Sequence, residues 1–384
     1  MQAYGIRGDS IYSKVLFTAN PLSWLDLYGQ FLYSRPETEV HYAQNATGLF
    51  ADVNPVLFFN SQQEMLSAEA RQPHSSGSFG AELRPFRRLR IVEVWMTDRL
   101  HVASSLQDQS VAPLIYNYNQ QQLDVIFDLT SRLTVRGGHR FVWGDAGVRA
   151  AGRTALPGIA GLESGELRRQ VGLGGVHYRH SQKLTVNADF KFASGDRTYF
   201  RTSLDDYKKF RARARYQASS SLAVAASFSL LDNHNPAPTV NYDFLNRQNS
   251  VSFFWTPGGG KRISLLGDYT RSSLRSDLTY LVPQTLERAR SFYRDNAHTA
   301  SAVLDLALPQ MGRLKPAAGV GGSFFVSSGS RPARYYQPLA RLSFPIGKHA
   351  QWNTEWRWYG FSEGFYRYED FRTNQFVTGL RLTR

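Results

Sequence analysis

The chain predicts an all-β fold, a transmembrane antiparallel up-and-down β-barrel of about 16–18 strands. Three observations carry that prediction. Runs of alternating residues recur in pairs around a tight turn, and the connections between runs alternate between short and long. Within each run the apolar residues fall on one face, because side chains in a strand repeat with period two.

The short turns come in order along the chain. The first is Asn20-Pro21-Leu22-Ser23, followed by Pro85-Phe86-Arg87-Arg88 and Thr130-Ser131-Arg132. His180-Ser181-Gln182-Lys183 and Ser219-Ser220-Ser221 come next, then Gly258-Gly259-Gly260-Lys261, Gln310-Met311-Gly312-Arg313 and Gly347-Lys348-His349-Ala350. Leu89, Leu133, Leu184, Leu222 and Leu314 follow five of them. Between turns the chain makes longer polar excursions. Short periplasmic turns and long external loops are the pattern of a membrane barrel.

The alternation is clearest from the middle onward. Leu133, Val135, Gly137, His139 and Phe141 share one face, while Thr134, Arg136, Gly138 and Arg140 share the other. Leu184, Val186, Ala188, Phe190 and Phe192 alternate with Asn187, Asp189 and Lys191. Trp352, Thr354, Trp356 and Trp358 alternate with Asn353, Glu355 and Arg357. A soluble β-sandwich would alternate in the same way. Strands of about 9–13 residues suit a tilted membrane crossing better than the usual strand of about 5–6. A polar face rich in Arg, Asp and Gly points the same way.

Counting by turns gives about seventeen strands, the first from Tyr12 to Asn20 and the last from Asn374 to Thr383. An all-next-neighbour barrel closes on an even number. Residues 2–8 are too short for a full ascending strand, so at least one strand is expected to precede Met1. Residues 1–384 are then a single barrel domain, the C-terminal part of a longer barrel. Met1 to Asp9 carries no basic segment followed by an apolar one, so no export signal is visible there.

Composition narrows the chemistry. No apolar run approaches the roughly 18 residues of a membrane helix. Aromatics make up 14% of the chain, enough to form interfacial girdles. The absence of cysteine excludes thiolate metal sites, cysteine-ligated iron–sulfur clusters, c-type haem attachment and cysteine nucleophiles on this chain. The net charge is +14, but the basic residues are spread through strands and loops rather than gathered on one arm. That distribution points away from nucleic acid and toward anionic lipopolysaccharide outside and anionic solutes inside.

The sharpest local feature is Lys209-Phe210-Arg211-Ala212-Arg213-Ala214-Arg215-Tyr216. Period two puts Lys209, Arg211, Arg213 and Arg215 on one face. An arginine facing lipid at the midplane costs roughly 2–4 kcal/mol, so this ladder is expected to face the lumen. With Lys191, Arg136 and Arg140 it forms a positive stripe that would guide anions. The competing reading is a cross-strand salt-bridge network with Asp26, Glu82, Asp124, Asp128, Asp189, Asp268, Asp305 and Glu355. A pore wall accommodates both.

Residues 35 to 74 read as a long loop holding Asn45-Ala46-Thr47, Phe58-Phe59-Asn60 and Gln62-Gln63-Glu64. It is expected as a mobile surface loop, or as a segment that folds into the lumen as a constriction or receives a partner. Asn45-Ala46-Thr47 matches a glycosylation sequon without meaning in a bacterial barrel. His177 and His180 lie three apart and point to opposite faces, and His234 stands alone. The spacing defines no catalytic triad, metal site or cofactor site, and the chain is not expected to be an enzyme.

The hairpin alternation, the aromatic clusters at Trp352–Tyr359 and Phe365-Tyr366-Arg367-Tyr368, and the amphipathic last strand resemble bacterial outer-membrane barrels of the porin type. The resemblance implies an outer-membrane channel for passive passage of small, preferably anionic solutes. The ending Leu382-Thr383-Arg384 departs from the aromatic finish usual in such barrels. The chain also resembles, more weakly, the MtrB/PioB family of large barrels. That resemblance implies the alternative of a scaffold sheathing a multihaem cytochrome as its partner in an outer-membrane electron conduit.

Overall fold

The computed structural model describes residues 2–53, 56–106, 109–149, 162–199, 202–237, 240–260, 262–282, 285, 287–312, 314–346, 349–364 and 370–382. Among these residues the chain forms eighteen strands and one short 3-10 turn, Pro257–Gly260. The strands are β1 (Gln2–Leu22), β2 (Leu25–Val53), β3 (Val56–Arg71), β4 (His74–Phe86), β5 (Leu89–Leu106) and β6 (Gln109–Asp128). They continue as β7 (Leu133–Arg149), β8 (Leu162–Arg179), β9 (Leu184–Arg197), β10 (Asp206–Ser219), β11 (Leu222–Ala237) and β12 (Val240–Trp255). The last are β13 (Ile263–Leu281), β14 (Arg288–Ala307), β15 (Ala317–Gly329), β16 (Ala333–Ile346), β17 (Ala350–Glu363) and β18 (Phe371–Leu382).

All eight expected turns fall between consecutive strands, and four of the leucines that follow them, Leu89, Leu133, Leu184 and Leu222, open a strand. Leu314 does not. Met311 and Leu314 exchange backbone hydrogen bonds at 3.0 Å, which ties off a small loop, and β15 starts at Ala317. Gly258, Gly259 and Gly260 have φ of 63°, 74° and 75°, a left-handed run that only glycine adopts cheaply. The cluster Phe365–Tyr368 lies outside the described residues.

The chain divides into two compact units. The first holds residues 1–126, 138–172 and 194–203. There β1 pairs antiparallel with β2, and Phe17 stands opposite Gly29. Phe17, Phe31, Phe79 and Trp95 share an exposed apolar face, while Asp26, Tyr28 and Glu82 share the opposite one. The Phe17 ring lies where a Cβ on Gly29 would sit, and Tyr28 covers Gly80 in the same way. Aromatic rings laid over strand glycines bury the backbone that glycine leaves bare.

The stretch from 35 to 74 is corrected by the structure: it is not a loop. Residues 37–53 of β2 pair with 56–71 of β3 as the upper part of a long hairpin. Both faces there carry polar residues, so the one-sided periodicity that marks a membrane strand is missing although the backbone pairing continues. Arg71 ties the base of this hairpin by ion pairs to Glu37 at 3.0 Å and Glu69 at 2.6 Å.

β3 and β4 are each antiparallel to β2 and to β5, so they run in the same direction. Together they make one pass interrupted at Gln72-Pro73, where proline cannot donate to a ladder. The eighteen strands therefore make seventeen passes, the number the turns predicted. The first strand is longer than expected, because residues 2–8 belong to β1 itself and pair with residues 38–44.

The second unit holds residues 127–137, 173–193 and 204–384. From β10 to β18 each strand pairs antiparallel with the next. One face is apolar: Trp352 stands opposite Leu380, Trp356 opposite Phe376, and the Phe210 and Phe228 rings meet at 5.9 Å. The other face is a field of short polar side chains. One row runs Asn187, Arg213, Ser227, Ser250, Thr270, Thr299 across six strands. In that row Ser227 and Ser250 share a hydrogen bond of 2.6 Å.

Candidate functional site

The ladder of β10 is built as period two requires. Lys209, Arg211, Arg213 and Arg215 lie on the polar face, opposite Lys191, Asp189, Asn187 and Thr185 of β9. On the other side they meet Leu231, Ser229, Ser227 and Ala225 of β11. Arg213 and Arg215 are exposed and flanked on both sides by short uncharged side chains. Neither takes part in an ion pair among the described residues.

At the upper end of the ladder the structure brings four of the sequence-predicted residues together. Arg136, Lys191, Lys209 and Arg211 line a recess of about 190 Å³ with Asp189, and Leu173 and Gly174 contribute to its lining. Gly175 leaves room there: a Cβ at that position would meet Asp189 Oδ1 at 2.9 Å. Arg213 and Arg215 are outside the recess. Arg140 belongs to the first unit, where its Nε donates to Gln122 Oε1 at 2.7 Å.

The salt-bridge reading holds at other places on the polar faces. Arg341 holds Asp305 with two contacts of 2.8 Å. Arg84 spans Asp26 at 2.6 Å and Glu82 at 2.9 Å, which offsets two carboxylates set directly opposite one another. Arg357 pairs with Glu355. Asp128 accepts a hydrogen bond from Thr134 at 2.6 Å, and Asp268 accepts one from Ser301. Charges of both signs are thus present. They balance locally around Asp26 and Asp305 and not at Arg213 and Arg215 of β10.

Sequence reasoning missed Tyr199, in the connection from β9 to β10. Its hydroxyl donates to the Asn117 carbonyl and its ring packs 5.2 Å from Tyr116. Cβ atoms at Gly144 and Gly165 would collide with it. Gly144 alternates in register with Arg140 and Val142, so Tyr199 lies over the polar face of β7. Val142 and Val171, on β7 and β8, are only 1% exposed. Burial raises the Tyr199 hydroxyl above the usual tyrosine range. The signals available were two glycines on neighbouring strands and an aromatic in a polar loop, which do not identify one another without coordinates.

The histidines do not assemble. His177 bonds to Asn187, and His180 Nδ1 meets the Tyr178 hydroxyl at 3.0 Å. His234 meets Asp243 at 2.6 Å. No group of three metal-ligand side chains occurs among the described residues. Near the loop end of β13, beyond the roughly 9–11 residues of a membrane crossing, Asp277 receives Arg275 at 2.6 Å and Arg290 at 3.3 Å. The hydrogen bond from Arg275, with the charges of Arg275 and Arg290, holds its carboxyl below the usual range against the opposing effect of burial.

No protein-family model matches the chain, and no curated protein matches it. Among solved structures, the RagAB peptide importer in its 'closed-closed' state superposes with a TM-score of 0.60 at 9% identity, over 92% of this chain and 58% of that one. The alcaligin outer-membrane receptor FauA from Bordetella pertussis gives 0.48 at 8% identity, over 100% of this chain and 75% of that one. OccK3 from Pseudomonas aeruginosa gives 0.34 at 11%, over 99% and 94%. The chain spans 58% of the length of the importer chain it resembles. At such identities the likeness is one of fold: an all-β, antiparallel up-and-down chain with the architecture of an outer-membrane β-barrel.

Proposed function

We propose that this chain forms the wall of a bacterial outer-membrane channel through which small solutes pass passively, with a preference for anions. The observation that carries the reading is the ladder on the polar face of β10, where Arg211 stands between Asp189 and Ser229 while Arg213 and Arg215 stand among Asn187, Thr185, Ser227 and Ala225. Rings and rows of arginine lower the barrier for anions and raise it for cations. The exposed aromatic faces that carry Phe17, Phe79 and Trp95 in one unit and Trp352 and Phe376 in the other supply the lipid contact.

Seventeen passes are an odd number, and an up-and-down barrel closes on an even one. Every described side chain of β1 and of β18 is exposed. We take the working channel to include at least one further strand.

Reconstitution of the purified protein in planar bilayers tests the channel reading. Stepwise conductance with a reversal potential on the anion side of zero is expected. Cation preference, or a silent bilayer, contradicts it. A haem protein co-purifying with a silent barrel replaces the channel with a scaffold.

A further inference from the structure

We infer that the recess bounded by Arg136, Lys191, Lys209 and Arg211 is a discrete binding site for a small dianionic oxyanion, a dicarboxylate or phosphate, at which a solute pauses on the ladder. Lys209 and Lys191 stand directly opposite each other on neighbouring strands. Directly opposed side chains have Cβ atoms about 4.5–5.5 Å apart, and like charges so placed repel. A doubly charged oxyanion between them turns that repulsion into attraction.

Arg211 lies two residues along β10 on the same face, roughly 7 Å away at about 3.3 Å per residue. Its guanidinium offers a planar pair of donors suited to carboxylate or phosphate. Arg136 closes the recess from another side. Four cations and one carboxylate, Asp189, line the recess, a lining suited to a doubly charged anion. Its volume of about 190 Å³ is room for a small oxyanion with part of its water shell. The contrast within the molecule is Arg341, whose charge Asp305 already meets, whereas Lys209 and Arg211 take part in no ion pair among the described residues.

The inference rests on the channel reading for the solute's route of access, but its test does not. The full-length protein, purified from outer membranes into detergent, is titrated calorimetrically with inorganic phosphate, with succinate and with acetate. At least one dianion is expected to bind more tightly than acetate, and which one binds fixes the ligand class. Lys209→Gln and Arg211→Gln should each weaken that binding about tenfold, the loss of one charge-assisted contact. Arg215→Gln, two rungs beyond Arg211 and outside the recess, should leave it within about threefold. Heat-modifiable migration on gels confirms that each variant is folded. Absence of dianion binding, or equal weakening in all three variants, overturns the site and leaves only a diffuse field. Binding without conductance keeps the site and removes the channel, whereas anion-selective conductance without binding does the reverse.

Discussion

Gly267 stands opposite Phe253, and a Cβ added to it would meet the ring at 2.5 Å. The ring occupies the space a side chain would need, so Gly267→Ala should destabilise the folded barrel by about 1–3 kcal/mol, the usual cost of overpacking. Phe253→Ala in the same background should recover most of that loss in guanidinium unfolding followed by tryptophan fluorescence. Additive losses would show that ring and glycine are independent. Asp277 carries the pH dependence at this scale. Its carboxyl is held below the usual range, so the folded chain binds that proton less readily than the unfolded chain. The stabilisation is present above about pH 4 and is lost as the pH falls through the depressed folded-state value. Wild type should therefore lose more thermal stability on acidification below about pH 4 than Asp277→Asn does. Parallel curves would remove Asp277 from the account. The ladder residues were legible in the sequence because period two and the cost of charge in lipid fix their face. The recess was not, since it depends on the register that sets Lys191 against Lys209.

Strands and loops differ in how far the sequence discloses them. Turns such as Ser219–Ser221 and Arg87-Arg88 are short, local and followed by one-sided strands, and the structure keeps them. The upper hairpin of β2 and β3 was read as loop because its pairing continues where neither face is apolar. There Thr38, Val40 and Tyr42 sit among Glu37, Glu39 and His41. The Tyr199 segment is the opposite case, an irregular connection held in place by contacts remote in sequence, from Asn117 to Gly165. It covers the polar face of β7. Replacing Tyr199 with Ala removes both the ring contact with Tyr116 and the bond to the Asn117 carbonyl. Single-channel conductance should rise while heat-modifiable folding is retained. Unchanged conductance in a folded Tyr199→Ala variant would place the segment away from the solute path.

At the scale of the whole molecule, fold and compartment follow from a regular feature, the alternation of short and long connections. On the channel reading proposed above, selectivity follows from an irregular one, a single strand whose basic residues lack acidic neighbours at Arg213 and Arg215. The net charge of +14 alone would not distinguish these, because Arg84, Arg341 and Arg357 are consumed by carboxylates. The central claim is that the charge left over on β10 sets what passes. The most direct measurement is the bilayer reversal potential under a tenfold potassium chloride gradient, for wild type and for the Arg211→Gln, Arg213→Gln, Arg215→Gln triple variant. Wild type should favour chloride, and the triple variant should shift toward zero or toward potassium with its conductance retained. An identical reversal potential for the two proteins, or a wild type that favours potassium, would contradict the account.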